Sequence, residues 1–264
     1  METTTKPDGT KVETTTAKDG SVTRIETKPD GSSVTQRTLA DGSTGTLKID
    51  KHGQTTAETQ LSGTAIEDAK KNGEPVKAPV EVEATRNSNT APVVNIEVPK
   101  SAGETKVEIP VTNVKPGTVA VLVHPDGTEE IIKNSVPTED GIQLTINGGA
   151  TVKIVDNSKD FIDTREHWSR DQVNFVAARE LFQGVGDNQF GAGRPMTRGM
   201  VNTVLARLAG VDTTPAAGQN WYDKGIRVSE LRYITVEAAL AGRATITRNC
   251  DSPVTRQKVT RHYK

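Results

Sequence analysis

The sequence predicts a multidomain fold: a mainly β N-terminal part, built of repeat hairpins and a small β-sandwich or barrel, followed by an α-helical hairpin. Three observations carry this. A turn dipeptide recurs at an 11-residue step, at Asp8-Gly9, Asp19-Gly20, Asp30-Gly31 and Asp41-Gly42, then His52-Gly53. Short runs rich in Val, Ile and Thr follow, separated by further Gly-containing turns. After residue 160 the apolar spacing becomes helical, and all nine aromatic residues of the chain lie there.

Residues 1–62 form the repeat. Asp-Gly suits a two-residue type I′ turn, in which both central residues take positive φ. Segments such as TKVETTTA and SVTRIETK lie between the turns and favour extended backbone. The reading is a meander of strands about nine residues long. Burial is the difficulty. From Thr10 to Gln60 the larger apolar residues are Val12, Val22, Ile25, Val34, Leu39, Leu47 and Ile49. That is too few for two packed layers, and isolated hairpins are marginal in water. The segment is therefore expected to be a solvated single-layer ribbon or a flexible spacer. With no ring to bury before residue 160, any core in this part should be thin.

Residues 63–91, including EDAKKNGEPVKAP, read as a charged linker. Residues 92–159 read as a small all-β domain, with strands at VVNIEV, TKVEIPV, GTVAVLV, TEEIIK, IQLTI and ATVKIVD. Turns fall at Pro116-Gly117, Asp126-Gly127, Asp140-Gly141 and Gly148-Gly149. Val107, Ile109 and Val111 alternate onto one face.

Residues 160–210 carry two amphipathic patterns. Ser169-Arg170-Asp171-Gln172 is a capping-box sequence for the first, Val173, Val176, Ala177 and Leu181 its stripe, and Gly184 its stop. Thr197 is the N-cap of the second, with Val201, Val204, Leu205 and Leu208 as its stripe and Gly210 as its end. Residues 211–264 begin like another copy at Trp221-Tyr222-Asp223-Lys224-Gly225-Ile226. From Arg227 to Lys264 eight basic and three acidic side chains follow, with the single cysteine, Cys250. That tail reads as a frameshifted or truncated end, or as a diverged repeat with Ile246-Thr247-Arg248 as its remnant, and as poorly ordered.

The ordered series Phe161-x-Asp163, His167-Trp168, Gly184, Phe190 and Thr197-Arg198 resembles the bacterial S-layer homology (SLH) repeat. The resemblance implies one near-complete repeat and a broken second one. It implies a non-catalytic cell-wall anchor that holds a secondary cell-wall polysaccharide, often pyruvylated, with the β region as stalk. Arg198 matches the residue that contacts the anionic sugar in this family; Thr197, Trp168 and Asp163 are the other expected ligand contacts. Phe161, His167, Gly184 and Phe190 are the structural motif. SLH repeats usually come in threes, so further repeats or self-association are expected partners. Two departures stand out. Gly199-Met200 replaces the family's Ala-Glu, which should remove the reciprocal half of the capping box, and Gly191-Ala192 stands where a proline is usual.

The resemblance also implies export to the cell surface or wall. METTTKPDG holds no signal-peptide core, so a fragment of a longer precursor or a misassigned start is expected. Net charge of −1 gives no global argument for nucleic acid, and no apolar run reaches membrane-span length. His52, His124, His167 and His262 are scattered, without metal-ligand spacing. No nucleophile elbow, Walker loop or dinucleotide fingerprint occurs. No cofactor is expected, and no enzyme. The alternative function is a surface adhesin or spacer whose SLH unit is vestigial.

Overall fold

The structure is a computed structural model that describes residues 1–225. Cys250, Ile246-Thr247-Arg248 and the basic tail lie outside the described residues. The chain divides into two compact units, residues 1–192 and residues from 193 on.

In the first unit the repeat forms six strands, β1 (Glu2–Thr5), β2 (Lys11–Thr16), β3 (Val22–Thr27), β4 (Ser33–Thr38), β5 (Thr44–Ile49) and β6 (Thr55–Gln60). Each pairs antiparallel with the next. The strands are shorter than expected because the turns take more residues. Gly9 N donates to Lys6 O at 3.0 Å, and Lys6 N donates to Thr10 O at 2.8 Å. Gly9 has φ of 83°, while none of the repeat aspartates has positive φ. This is a type I turn closed by a left-handed glycine, not the expected type I′ turn. The aspartate does a different job. Asp8 Oδ1 accepts from Thr10 N at 2.9 Å, and Asp19, Asp30 and Asp41 repeat the contact with Ser21, Ser32 and Ser43.

The ribbon continues into the β domain. β8 (Val93–Glu97), β14 (Ala150–Asp156), β10 (Thr118–Val123) and β11 (Glu129–Ile131) complete a ten-stranded sheet in the order β1-β2-β3-β4-β5-β6-β8-β14-β10-β11. A second sheet has the order β12 (Val136–Pro137), β13 (Gly141–Asn147), β9 (Glu104–Pro110) and β7 (Val76–Lys77). Ala57, Val94 and Val152 stand in register on the large sheet. They share one buried core with Val107, Ile109, Ile142 and Leu144 of the small sheet. The two faces make a sandwich, and among the described residues no sheet closes into a barrel. Its interior is Val, Ile, Leu and Ala without a ring. Fully buried β-branched side chains on two facing sheets interdigitate well enough to replace aromatic area.

The linker expected at 63–91 is part of this unit instead. Helix α1 (Gly63–Asn72) starts where Ser62 Oγ accepts from Ala65 N at 3.1 Å and ends at Gly73, φ 73°. Ile66 is buried, as are Val76, Val80, Val82 and Ala84 beyond it. Ala78 N donates to Glu108 O at 2.8 Å and Val82 N to Pro110 O at 3.1 Å, tying the segment to β9. The charges that suggested a linker, Glu67, Asp68, Lys70 and Lys71, are the exposed face of α1.

Helix α2 (Arg170–Ala178) covers the outer face of the large sheet, where Ala178 packs with Val119, Val121 and Val155. β10 is therefore apolar on both sides, with Ala120 in the sandwich core and Val119 under the helix. Helix α3 (Arg198–Leu208) belongs to the second unit.

Candidate functional site

The stretch before α2 is built on Asp163. Its two carboxylate oxygens accept from Phe190 N and Gly191 N, each at 2.8 Å. These two amides, Phe190 first, hold its pKa below the usual aspartate value. Phe190 in turn packs edge-on to Phe161, with ring centroids 5.5 Å apart, and lies 5.9 Å from Phe182. Gly184, φ 81°, lies under this cluster, where a Cβ would meet Phe161 Cε1 at 3.0 Å. Its role is close approach and not the expected helix stop. The helix has already ended at Arg179, because Glu180 takes φ of 56°. Leu181 N then reaches Val176 O at 3.1 Å and Glu180 N reaches Ala177 O at 3.0 Å, a Schellman closure without glycine.

The expected capping box at Ser169 does not form. Ser169 Oγ lies 2.7 Å from His167 Nδ1, and that imidazole takes up the hydroxyl that would have capped the helix. Trp168 stacks on His167 with centroids 5.4 Å apart and is otherwise bare, 83% exposed. It presents a free indole face.

Arg179 lies outside the residues of the motif. It is 0% exposed. Its guanidinium donates to Ser135 O at 2.7 Å, Thr118 O and Phe175 O at 3.0 Å, and Pro116 O at 3.3 Å. Its Cζ sits 3.9 Å over the Phe175 ring. Backbone carbonyls and a ring face compensate a charge that, among the described residues, has no carboxylate within bonding reach. Burial pushes its pKa down to about 10, so it stays protonated at neutral pH. Arg179 pins α2 to the β domain. Nothing in the local sequence separates this arginine from a solvated one.

In the second unit Thr197 caps α3, its Oγ1 accepting from Met200 N at 3.3 Å. Met200 Sδ accepts from Thr197 N at 3.5 Å, so the reciprocal half of the box survives with a thioether in place of the missing acid. Sulfur is a weak acceptor, and this half is correspondingly weak. Arg198 opens the helix, exposed, with no ion pair to it among the described residues. Gly199 has a packing reason: a Cβ there would meet Tyr222 Cβ at 3.0 Å. The buried residues of α3 are Thr203 and Ala206, while Val201 of the expected stripe is exposed. Small side chains face inward because the Gly225 backbone lies against Thr203.

Asp163 and Trp168 thus sit in the first unit, and Thr197 and Arg198 in the second. Residues 160–199 match the family described as the S-layer homology domain. The chain carries an S-layer homology domain. SLH domains are generally non-catalytic cell-wall anchoring modules, and they associate their proteins with the cell surface or wall. Neither curated proteins nor solved structures give a match to the chain.

A concavity lies on the outer face of the large sheet. A trough of about 670 Å³ is lined by Glu58, Gln60, Asn95, Glu97, Thr151 and His124. Glu58, Asn95 and Thr151 stand in one register row. Thr151 Oγ1 donates to Asn95 Oδ1 at 2.7 Å. Among the described residues no Phe, Tyr or Trp lines it, and the His124 imidazole is its one ring. Among the described residues no group of His, Cys, Asp and Glu is placed to hold a metal ion.

Proposed function

We propose that the SLH unit binds a secondary cell-wall polysaccharide, with the β region as the stalk that carries a load away from the wall. The observation that carries this is Arg198. It is an exposed cation in the first turn of a capped helix, within the residues that match the family. Its guanidinium fork, beside the free amides of the helix start, suits a carboxylate such as a pyruvyl group on a sugar. Thr197 keeps that helix start in place. Trp168 offers its bare face to a sugar ring. Asp163 spends one lone pair per oxygen on the Phe190 and Gly191 amides, which leaves it acceptor capacity for sugar hydroxyls. One domain offers part of a groove, and further SLH repeats or a second copy complete it.

The test is co-sedimentation of the chain with Gram-positive wall sacculi, before and after chemical removal of the secondary polysaccharide. Binding should vanish with the polymer, and Arg198→Ala should weaken it more than Arg194→Ala. Equal losses from the two variants would mean nonspecific charge attraction and would sink the role of Arg198.

The trough on the large sheet favours a second reading, an adhesin whose contact surface is the β region. Its carboxylates, amides and hydroxyls are acceptor-rich, suited to a polyhydroxylated ligand. Binding of sacculi or glycans that persists in the full chain carrying Arg198→Ala would support it.

A further inference from the structure

The first four strands are held by different forces from the rest of the large sheet. No residue within β1, β2, β3 or β4 is buried. Backbone ladders, turn aspartates and surface ion pairs hold them. The ion pairs, Lys6–Glu26 at 3.3 Å and Lys11–Glu13 at 2.6 Å, are solvated, and such pairs contribute little. Thr10, Ser21 and Ser43 are buried in the turns, but within the strands burial begins at Gly45 in β5 and deepens at Ala57 and Thr59 in β6. β6 also changes partner. It pairs parallel with β8 over Thr56–Gln60 opposite Val93–Glu97, and Leu61 behind it is buried in the sandwich core.

The connectivity decides how such a sheet yields. Each ribbon strand pairs only with its neighbours in sequence. Tension entering at β1 therefore meets one ladder at a time. It opens the β1–β2 ladder from Glu2 opposite Thr14 towards Thr5 opposite Lys11, passes the turn, and begins again at Lys11 opposite Thr27. Bonds loaded one after another give way at far lower force than a ladder sheared all at once. A folded unit spans about 4.8 Å across the sheet, and its residues span up to about 3.4 Å each when extended. Each 11-residue unit therefore releases roughly 30 Å.

We propose that β1–β5 is a load-yielding tether, which lengthens by serial unzipping while β6 and the sandwich stay folded. The physiological direction of load rests on the anchoring function proposed above; the mechanical behaviour does not.

Single-molecule pulling tests it, with one handle at Met1 and the other at Glu139→Cys, an exposed turn residue of the sandwich, in a Cys250→Ser background. The expected record is an extension of about 150 Å in small reversible increments, below the force that ruptures the sandwich. Deleting residues 11–32, two whole units, should remove about two fifths of that extension and leave the sandwich rupture unchanged. Ribbon and sandwich opening in one event would overturn the proposal, as would a deletion that leaves the extension intact. No wall polymer is present in this measurement, so failure of the sacculus experiment and failure here are separate results.

Discussion

The ribbon and the sandwich share one sheet and one strand chemistry, yet only the sandwich has a covered face. β4 and β9 are both Thr- and Val-containing strands in antiparallel ladders. Val34 of β4 is only half-buried, while Val107 and Ile109 of β9 are fully buried against the opposite sheet. Hydrogen bonding thus defines the strand in both places, and the second layer supplies the stability in only one. The difference is the general one between net hydrogen-bond worth and apolar burial.

The largest test of this contrast is at the pin that adds a third layer. Arg179→Met should cost about 3–5 kcal/mol in chemical denaturation, because the carbonyls of Ser135, Thr118 and Pro116 lose a buried donor. A change below about 1 kcal/mol would mean that the carbonyls rehydrate and the pin is dispensable. Next comes the direct comparison. Ile109→Ala should cost about 2–5 kcal/mol, whereas Ile25→Ala, half-buried on β3, should cost about 1 kcal/mol or less. Similar costs would mean that the ribbon has a hidden partner.

Acid should separate the regions more gently. Backbone amides of Thr10, Ser21 and Gln54 are the first cause of lowered pKa at Asp8, Asp19 and Asp50, and the Ser32 hydroxyl at Asp30. Their folded pKa values lie below the usual 3.8. Their stabilisation is therefore full above that value and fades as pH falls through the lower folded values. In an NMR titration from about pH 5 to about pH 2, shifts of β2–β4 amides should move before those of β9 and β13. Simultaneous loss would put the acid-sensitive groups elsewhere. Smallest is Glu180→Gly, which relieves the left-handed strain after α2 and should raise stability by about 1 kcal/mol. A loss on that substitution would assign a contact to the glutamate side chain.

Much of this was legible in advance wherever a local rule and the tertiary environment agree. The 11-residue step, four times Asp-Gly and once His52-Gly53, locates the five ribbon turns, and the β-branched runs locate β8, β9, β10, β13 and β14. The turn type is not legible, because Asp-Gly fits two hairpin geometries, and an aspartate that binds the amide two residues on favours the longer one. The charge of segment 63–91 points to a linker. The signals for α1 were present in Ser62, in Gly73 and in Ala65, Ile66 and Ala69 between them. At the candidate site Phe161, Asp163, Phe190 and Thr197 follow from the motif. Arg179 and the Gly199–Tyr222 contact do not, since both depend on surfaces distant in sequence.

The aspartate turns alternate between the two rims of the ribbon, and equivalent positions in successive units alternate between its faces. Val12 and Val34 share a face, both in register with Glu26, while Thr23 points the other way. The spatial period is therefore two units. A gene that gained or lost a single copy of the repeat would deliver whatever precedes it to the opposite rim with its faces exchanged. Gain or loss of a pair would change only the width, so inheritance of functional length variants should run in even copy numbers.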